Sequence, residues 1–188
     1  MDLAYRSSLL RRIRAVHSLY DNACATMSVE QVNCVSHPRA LPIAFSLVHH
    51  ALIEDAALVF IGGPAPQFDE RLAAKIGVAI SNSGKELTVE EMMGQRIEDL
   101  DEFRTFLSLV YTATEDYVAG VDPVSLSEIV VRPPFGPTLE NTFSARVAGA
   151  AGLSRSDAIE CWVYQHALRH LGEIEHARSL VGLGGLTS

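Results

Sequence analysis

Cysteine is scarce in this 188-residue chain. Cys24, Cys34 and Cys161 are odd in number and lack CxxC spacing, which excludes a paired disulfide framework and fits a reduced, cytoplasmic setting. Clustered positive charge is missing as well. The net charge is -8, and the basic residues are almost all Arg and scattered, so the contiguous patch that nucleic-acid binding requires is absent. No run approaches the roughly 20 apolar residues of a membrane span, because Glu54 and Asp55 interrupt the longest apolar segment. Arg6, Arg11, Arg12 and Arg14 crowd the N-terminal region without the apolar stretch of a signal peptide. No Ser/His/Asp or Cys/His constellation stands out, and Ala167 occupies the position where an HExxH motif needs its glutamate. Repeats, heptads and low-complexity segments are also lacking.

What is present is an ample apolar content, 48% of residues, in a chain long enough for one domain (1–188) that buries roughly 70% of its unfolded surface. Its periodicity is helical. Leu9, Ile13, Val16, Tyr20, Ala23 and Met27 form one stripe and predict a first long helix over residues 5–27. Ser28-Val29-Glu30-Gln31 reads as a capping box. His37-Pro38 marks a linker, and Pro42 suits the first turn of a second helix over about 42–61 that stops at Gly62-Gly63-Pro64. Residues 64–96 are irregular, with short helical pieces expected at 70–80 and after Thr88. A connection this long suits a crossover between helices that run the same way. Phe103, Leu107, Val110, Thr114 and Tyr117 predict a third long helix over 98–120. Pro123, RPPFGP (132–137) and a short strand at 129–131 precede a fourth helix, capped by Ser154 or Ser156 and running to about 181. The fold class expected is all-α: a four-helix bundle with a long crossover between its second and third helices.

The fourth helix carries the chemistry. Ile159, Val163, His166, His170, Glu173, Ala177 and Leu180 recur at steps of four and three, the spacing of a buried face. Polar groups buried there without partners would cost about 1–3 kcal/mol each. A bound metal ion would satisfy His166 and His170, which project from one face a turn apart. A further ligand must come from another helix, and the second offers His49 and His50. His49 shares its stripe with Phe45, Leu52, Ala56 and Val59, whereas the stripe of His50 also holds Glu54, so periodicity favours His49 as the inward residue. A lone core histidine is more often hydrogen-bonded to a carbonyl; candidates on two core faces favour a metal.

IAFSLVHHALIED on the second helix, followed by HALRHLGEI on the fourth, resembles the DinB-like family of four-helix bundles. That family joins an Ile-Ala…His…Glu-Asp segment to an HxxxHxGE/Q segment, and includes mycothiol-dependent maleylpyruvate isomerases. The resemblance implies metal ligands at His49, His166 and His170, with His50 standing where apolar residues are more common. It also implies a long crossover, and many members are homodimers.

Three neutral imidazoles would leave an open position on Zn²⁺ or Ni²⁺. Such an ion can hold a low-molecular-weight thiol as thiolate, as is thought for the thiol-transferase members, so a transferase, isomerase or hydrolase acting on a small molecule is the expectation. Glu173 either orients an imidazole N–H or pairs with Arg169 at the bundle end. Glu54 and Asp55 are expected to cap or bridge helices, Cys161 to pack, Trp162 and Tyr164 to fill core or interface, and His17, His37 and His176 to be solvated. Two competing readings remain. A hemerythrin-like di-iron protein is imitated by His50-x-x-x-Glu54 with His166-x-x-x-His170, and a metal-free dimeric scaffold would keep the fold alone.

Overall fold

Four long helices account for most of the chain, in a computed structural model that describes residues 3–187. Helix α1 (Leu3–Ala25) buries Leu9, Ile13, Val16, Tyr20 and Ala23, the stripe its sequence predicts. The capping box forms as expected. Ser28 accepts from the Gln31 N–H while the Gln31 side chain accepts from the Ser28 N–H, starting the single turn α2 (Val29–Val32). Helix α3 (Ile43–Phe60) has Pro42 at its N-cap, one position earlier than expected, and ends before Gly62, whose φ of +84° reverses the chain.

The crossover, residues 61–99, contains the short helices α4 (Glu70–Ile76) and α5 (Val89–Met92). It is tied down by side chains that mimic backbone. The Asp55 carboxylate accepts from the Gln67 and Phe68 N–H groups. The Gln95 amide accepts from and donates to Ile80 at 2.8 Å each way, and Asn33 does the same for Ile97. Burying those backbone groups without partners would be costly, so these amides fix the path of the loop.

Helix α6 (Leu100–Gly120) starts at Asp99, which caps the Glu102 N–H. The strand β1 (Ile129–Val131) appears where expected and pairs antiparallel with β2 (Leu153–Ser154), after the short helices α7 (Pro137–Glu140) and α8 (Phe143–Val147). Gly152, at φ +121°, brings its backbone against Val131 in this ribbon, where a Cβ would lie 2.2 Å from the Val131 oxygen. Ser154 then caps α9 (Arg155–Ala158), which continues through a π-helical segment, Ile159–Gln165, into α10 (His166–Leu180).

The long helices pack as α1 on α6, α6 on α3, α3 on α10 and α10 on α1. Helix α3 has the length and hydropathy of a membrane span, but 67% of it is buried against these neighbours. The apolar interior is divided. One cluster takes Leu9 and Ile13 from α1, Leu58 from α3, Val118 from α6 and Val163 from the π segment. The other takes Val16 and Tyr20, Ala51, Tyr111 and Ala167. Between them lie His17, Glu54, Thr114 and His166, one from each long helix, all buried.

His17 is therefore not solvated, contrary to expectation. It lies four residues beyond Ile13 and three before Tyr20, squarely on the buried face, while His37 and His176 are exposed. Its Nε2 stands 3.1 Å from a Glu54 carboxylate oxygen and its Nδ1 2.9 Å from Glu115, and its ring stacks on Tyr111 at 3.7 Å. Neither Glu54 oxygen has a directed hydrogen bond, so charge holds the Glu54 contact. Burial alone would lower the His17 pKa, but Glu54 and Glu115 outweigh it and raise it; burial would raise Glu54, but His17 lowers it. The pair is His17⁺ Glu54⁻.

The raised His17 pKa gives stability that is whole below its ordinary 6.5 and is lost as pH rises through the folded value. The lowered Glu54 pKa gives stability that is whole above 4.5 and is lost as pH falls through its folded value. Between these limits, at pH 6, Glu54→Leu should cost about 3–5 kcal/mol in urea unfolding, and the His17→Leu/Glu54→Leu double variant should recover most of it. A single-variant loss under about 1 kcal/mol at that pH would show that the pair carries no net weight.

Candidate metal centre

Three imidazoles meet where α3 packs on α10. His49 comes from α3; His166 and His170 come from the first two turns of α10. The His166 Nε2 lies 3.2 Å from the His49 Nε2 and 3.2 Å from the His170 Nε2, and ligand atoms of all three fall within 4.8 Å of one another. His166 is buried and the other two are partly exposed, so the cluster sits at the margin of the bundle with one side open.

Their outer nitrogens define the tautomers. The His49 Nδ1 is 2.5 Å from the Ser83 carbonyl oxygen, which can only accept, so Nδ1 carries the proton and Nε2 a lone pair. The His170 Nδ1 is 2.7 Å from a Glu173 carboxylate oxygen, with the same consequence. Ser46 donates to that oxygen at 3.1 Å and holds it in place. Two lone pairs thus converge on His166, whose Nδ1 is buried without a partner. A proton on the His166 Nε2 can serve one of them well. A cation serves all three. Nitrogens held about 2.0–2.1 Å from a tetrahedral zinc lie about 3.3–3.4 Å apart, close to the separations observed. The residues fit a divalent ion bound by three neutral imidazoles.

Electrostatics agree. Burial pushes the His49 pKa down to about 4, with the nearby His170 and Lys85 adding to the effect. Burial, then the neighbouring histidines, pushes His166 far below the usual imidazole range. Both stay neutral, as ligands must.

The two residues expected to support the ligands fare differently. Glu173 reaches His170 directly, with its carboxyl held low first by the His170 hydrogen bond. His50 does not touch the triad through a hydrogen bond. It is fully buried behind His166 at a ring separation of 6.1 Å, stacked on Tyr20 at 4.2 Å, with its Nε2 3.1 Å from the Tyr111 hydroxyl and 3.6 Å from Glu54. Burial lowers its pKa to about 3. It braces the wall on which His166 stands.

The expected stripe of the fourth helix needs correction beyond Val163. Interior positions run through Val163, Ala167, Leu171, Ile174 and Arg178, one residue later than the 163-166-170-173-177-180 pattern, while Leu180 is 50% exposed. The π segment advances the face by about one residue, or roughly 100°. This places His170 and Glu173 at the edge of the interior. Cys161 packs as expected, and Trp162 contacts Phe60 edge-on at 5.9 Å. Ser83 and Ser46 were not singled out from sequence. A backbone carbonyl leaves no side-chain signal, and Ser46 shows itself only as the residue one turn before His49 and His50.

No family model matches the sequence, and no curated protein matches it. Among solved structures, the chain is similar to the crystal structure of the conserved protein of locus from Enterococcus faecalis, at 15% identity and a TM-score of 0.74 over 96% of this chain and 98% of that one. At that identity the likeness shows the fold alone.

Removing any of the three ligands should abolish stoichiometric metal binding. His49→Ala, His166→Ala and His170→Ala proteins, dialysed against Zn²⁺ or Ni²⁺ and assayed by elemental analysis, should hold well under one ion per chain, whereas His50→Phe should hold one. Metal retained in His49→Ala but lost in His50→Phe would move the ligand assignment on α3.

The lowered pKa values also set a pH dependence. Below 6.5 the unfolded chain takes up protons at His49 and His166 that the folded, metal-free protein refuses, so stability should fall as pH drops from 6.5 towards 4. Thermal unfolding of metal-free protein across that range should show the midpoint falling, and a His49→Phe/His166→Phe variant should flatten the slope. An unchanged slope would mean that these rings are not held neutral by burial.

Proposed function

We propose that this chain is a DinB-like protein holding one divalent ion at His49, His166 and His170, and that it uses the ion in a thiol-dependent transferase or isomerase reaction on a small electrophile. The observation that carries the reading is the convergence of three Nε2 atoms, two of them fixed as lone pairs by Ser83 and Glu173. A bound Zn²⁺ or Ni²⁺ would supply Lewis acidity and keep a coordinated thiol deprotonated near neutral pH.

The chain's own residues support the need for an external nucleophile. Burial pushes the Cys24 thiol up to about 12 and the Cys161 thiol up to about 11, so neither offers a thiolate at neutral pH. Cys34 lies in a separate surface depression beside Leu180 and Val181. Ser83 and Glu173 keep the imidazole protons turned outward, which leaves the open side of the triad free of competing donors. A di-iron centre is less well supported, because His50 and Glu54 engage Tyr111 and His17 rather than joining the triad. The homodimer implied by the resemblance belongs to the same proposal, and sedimentation of the purified protein decides it.

Metal-loaded protein should conjugate or isomerise model electrophiles only when a low-molecular-weight thiol is present. Mycothiol, bacillithiol and glutathione, screened against a panel of electrophiles, should reveal one thiol that raises the rate at least about tenfold over the uncatalysed reaction. Chelation or His166→Ala should remove the increase. No acceleration by any thiol, with one ion per chain verified, would sink the transferase reading.

A further inference from the structure

A cleft of ≈ 330 Å³ runs alongside the triad, and its walls differ sharply in character. Ile53, Ala57 and Phe60 of α3, Leu139 of α7 and Trp162 of the π segment make it apolar, and Lys85 is its one charged residue. Ile53 is one turn beyond His49, and Trp162 stands four residues before His166, so the cleft begins about 6 Å along both helices from the ligands. Its volume lies at the low end of small-molecule sites, enough for an aromatic ring with a short chain.

Lys85 has no ion pair among the described residues, although acidic residues outnumber basic ones 23 to 15 in this chain. It is one of only two lysines, and it follows by two residues the Ser83 whose carbonyl holds His49. Its charge acts on the His49 ring, which puts the ammonium at the triad end of the cleft. Phe60 lies three turns along α3 from His49, in edge contact with Trp162. Positive charge therefore marks one end and aromatic surface the other. A neutral apolar ligand would leave the ammonium unanswered, whereas a carboxylate there gains a charge-assisted contact.

We propose that this cleft binds a small apolar or aromatic carboxylate, its anionic group on Lys85 and its body against Phe60 and Trp162. This names the substrate class of the metal centre and rests on that reading for its catalytic meaning; occupancy of the cleft does not depend on the ion. Bound this way, the ligand presents the carbons next to its carboxylate to the triad.

Trp162 is the single tryptophan of the chain, so its emission reports on the cleft directly. Metal-free protein should be titrated with 4-phenylbutyrate and with its neutral amide. The acid should give a saturable change, and the amide should bind at least about tenfold more weakly. Lys85→Met should reduce the acid to the level of the amide, and Lys85→Arg should restore it. Ala56→Phe, at an exposed position lining the cleft, should remove both responses without altering the helical circular dichroism. His166→Ala should leave the acid's affinity within about threefold while losing the metal. That separates the two readings: intact titrations in a protein that binds no ion would fell the metal centre and leave the cleft standing. The proposal is overturned if neither probe binds, if acid and amide bind alike, or if Lys85→Met changes nothing. It is also overturned if Trp162 emission follows protein concentration rather than ligand, since a second copy would then cover the cleft.

Discussion

A carboxylate with no exposed surface in the middle of a helical bundle has to be answered by positive charge. Glu54 imposes that condition on everything around it. His17 answers from α1 and becomes a buried cation, which in turn draws in Glu115 and stacks against Tyr111. Tyr111 presents its hydroxyl to His50, and His50 is held neutral between Tyr20 and His166. The order in this layer passes from α1 through α3 and α6 to the helix that carries the metal ligands. The apolar clusters on either side keep the layer dry, and a dry layer is what gives its charges their weight.

The triad sits at the rim of that layer and is built by division of labour. The long helices supply the three rings, while the irregular parts of the chain aim them. His49 is turned by a carbonyl of the crossover, whose course is itself fixed by Asp55, Gln95 and Asn33. His170 is turned by Glu173 and Ser46, from the two helices that meet there. Rings oriented from outside are characteristic of sites in which the ligand set is prepared before the ion arrives.

Much of this was legible in the sequence because the long helices obey simple periodicity. The stripes of α1 and α6, the caps at Ser28, Thr88 and Ser154, and the three histidines brought together all follow from spacing and residue type. His17 escaped because a histidine between Ile13 and Tyr20 was read by its polarity and not by its position. Its carboxylate partner lies 37 residues away on another helix (54 − 17), beyond the reach of any local pattern. The one-residue phase change in the fourth helix escaped for a different reason. A π segment has no strong residue preference, and Ile159–Gln165 reads as ordinary helix until its neighbours are known. The role of Ser83 lies in its backbone, which sequence alone does not expose.

That π segment separates two things that usually travel together. It accommodates an extra residue within the turn, so losing one residue between Ile159 and Gln165 would let the backbone close into regular α-helix with its hydrogen bonds intact. The price in function would be total: relative to Val163 and everything before it, His166 and His170 would swing by about 100°, away from His49. Descendants with such a deletion would keep a well-formed bundle and have no place for an ion. A gap at this point in an alignment would thus mark the branch on which the chemistry was lost, even where both histidines persist.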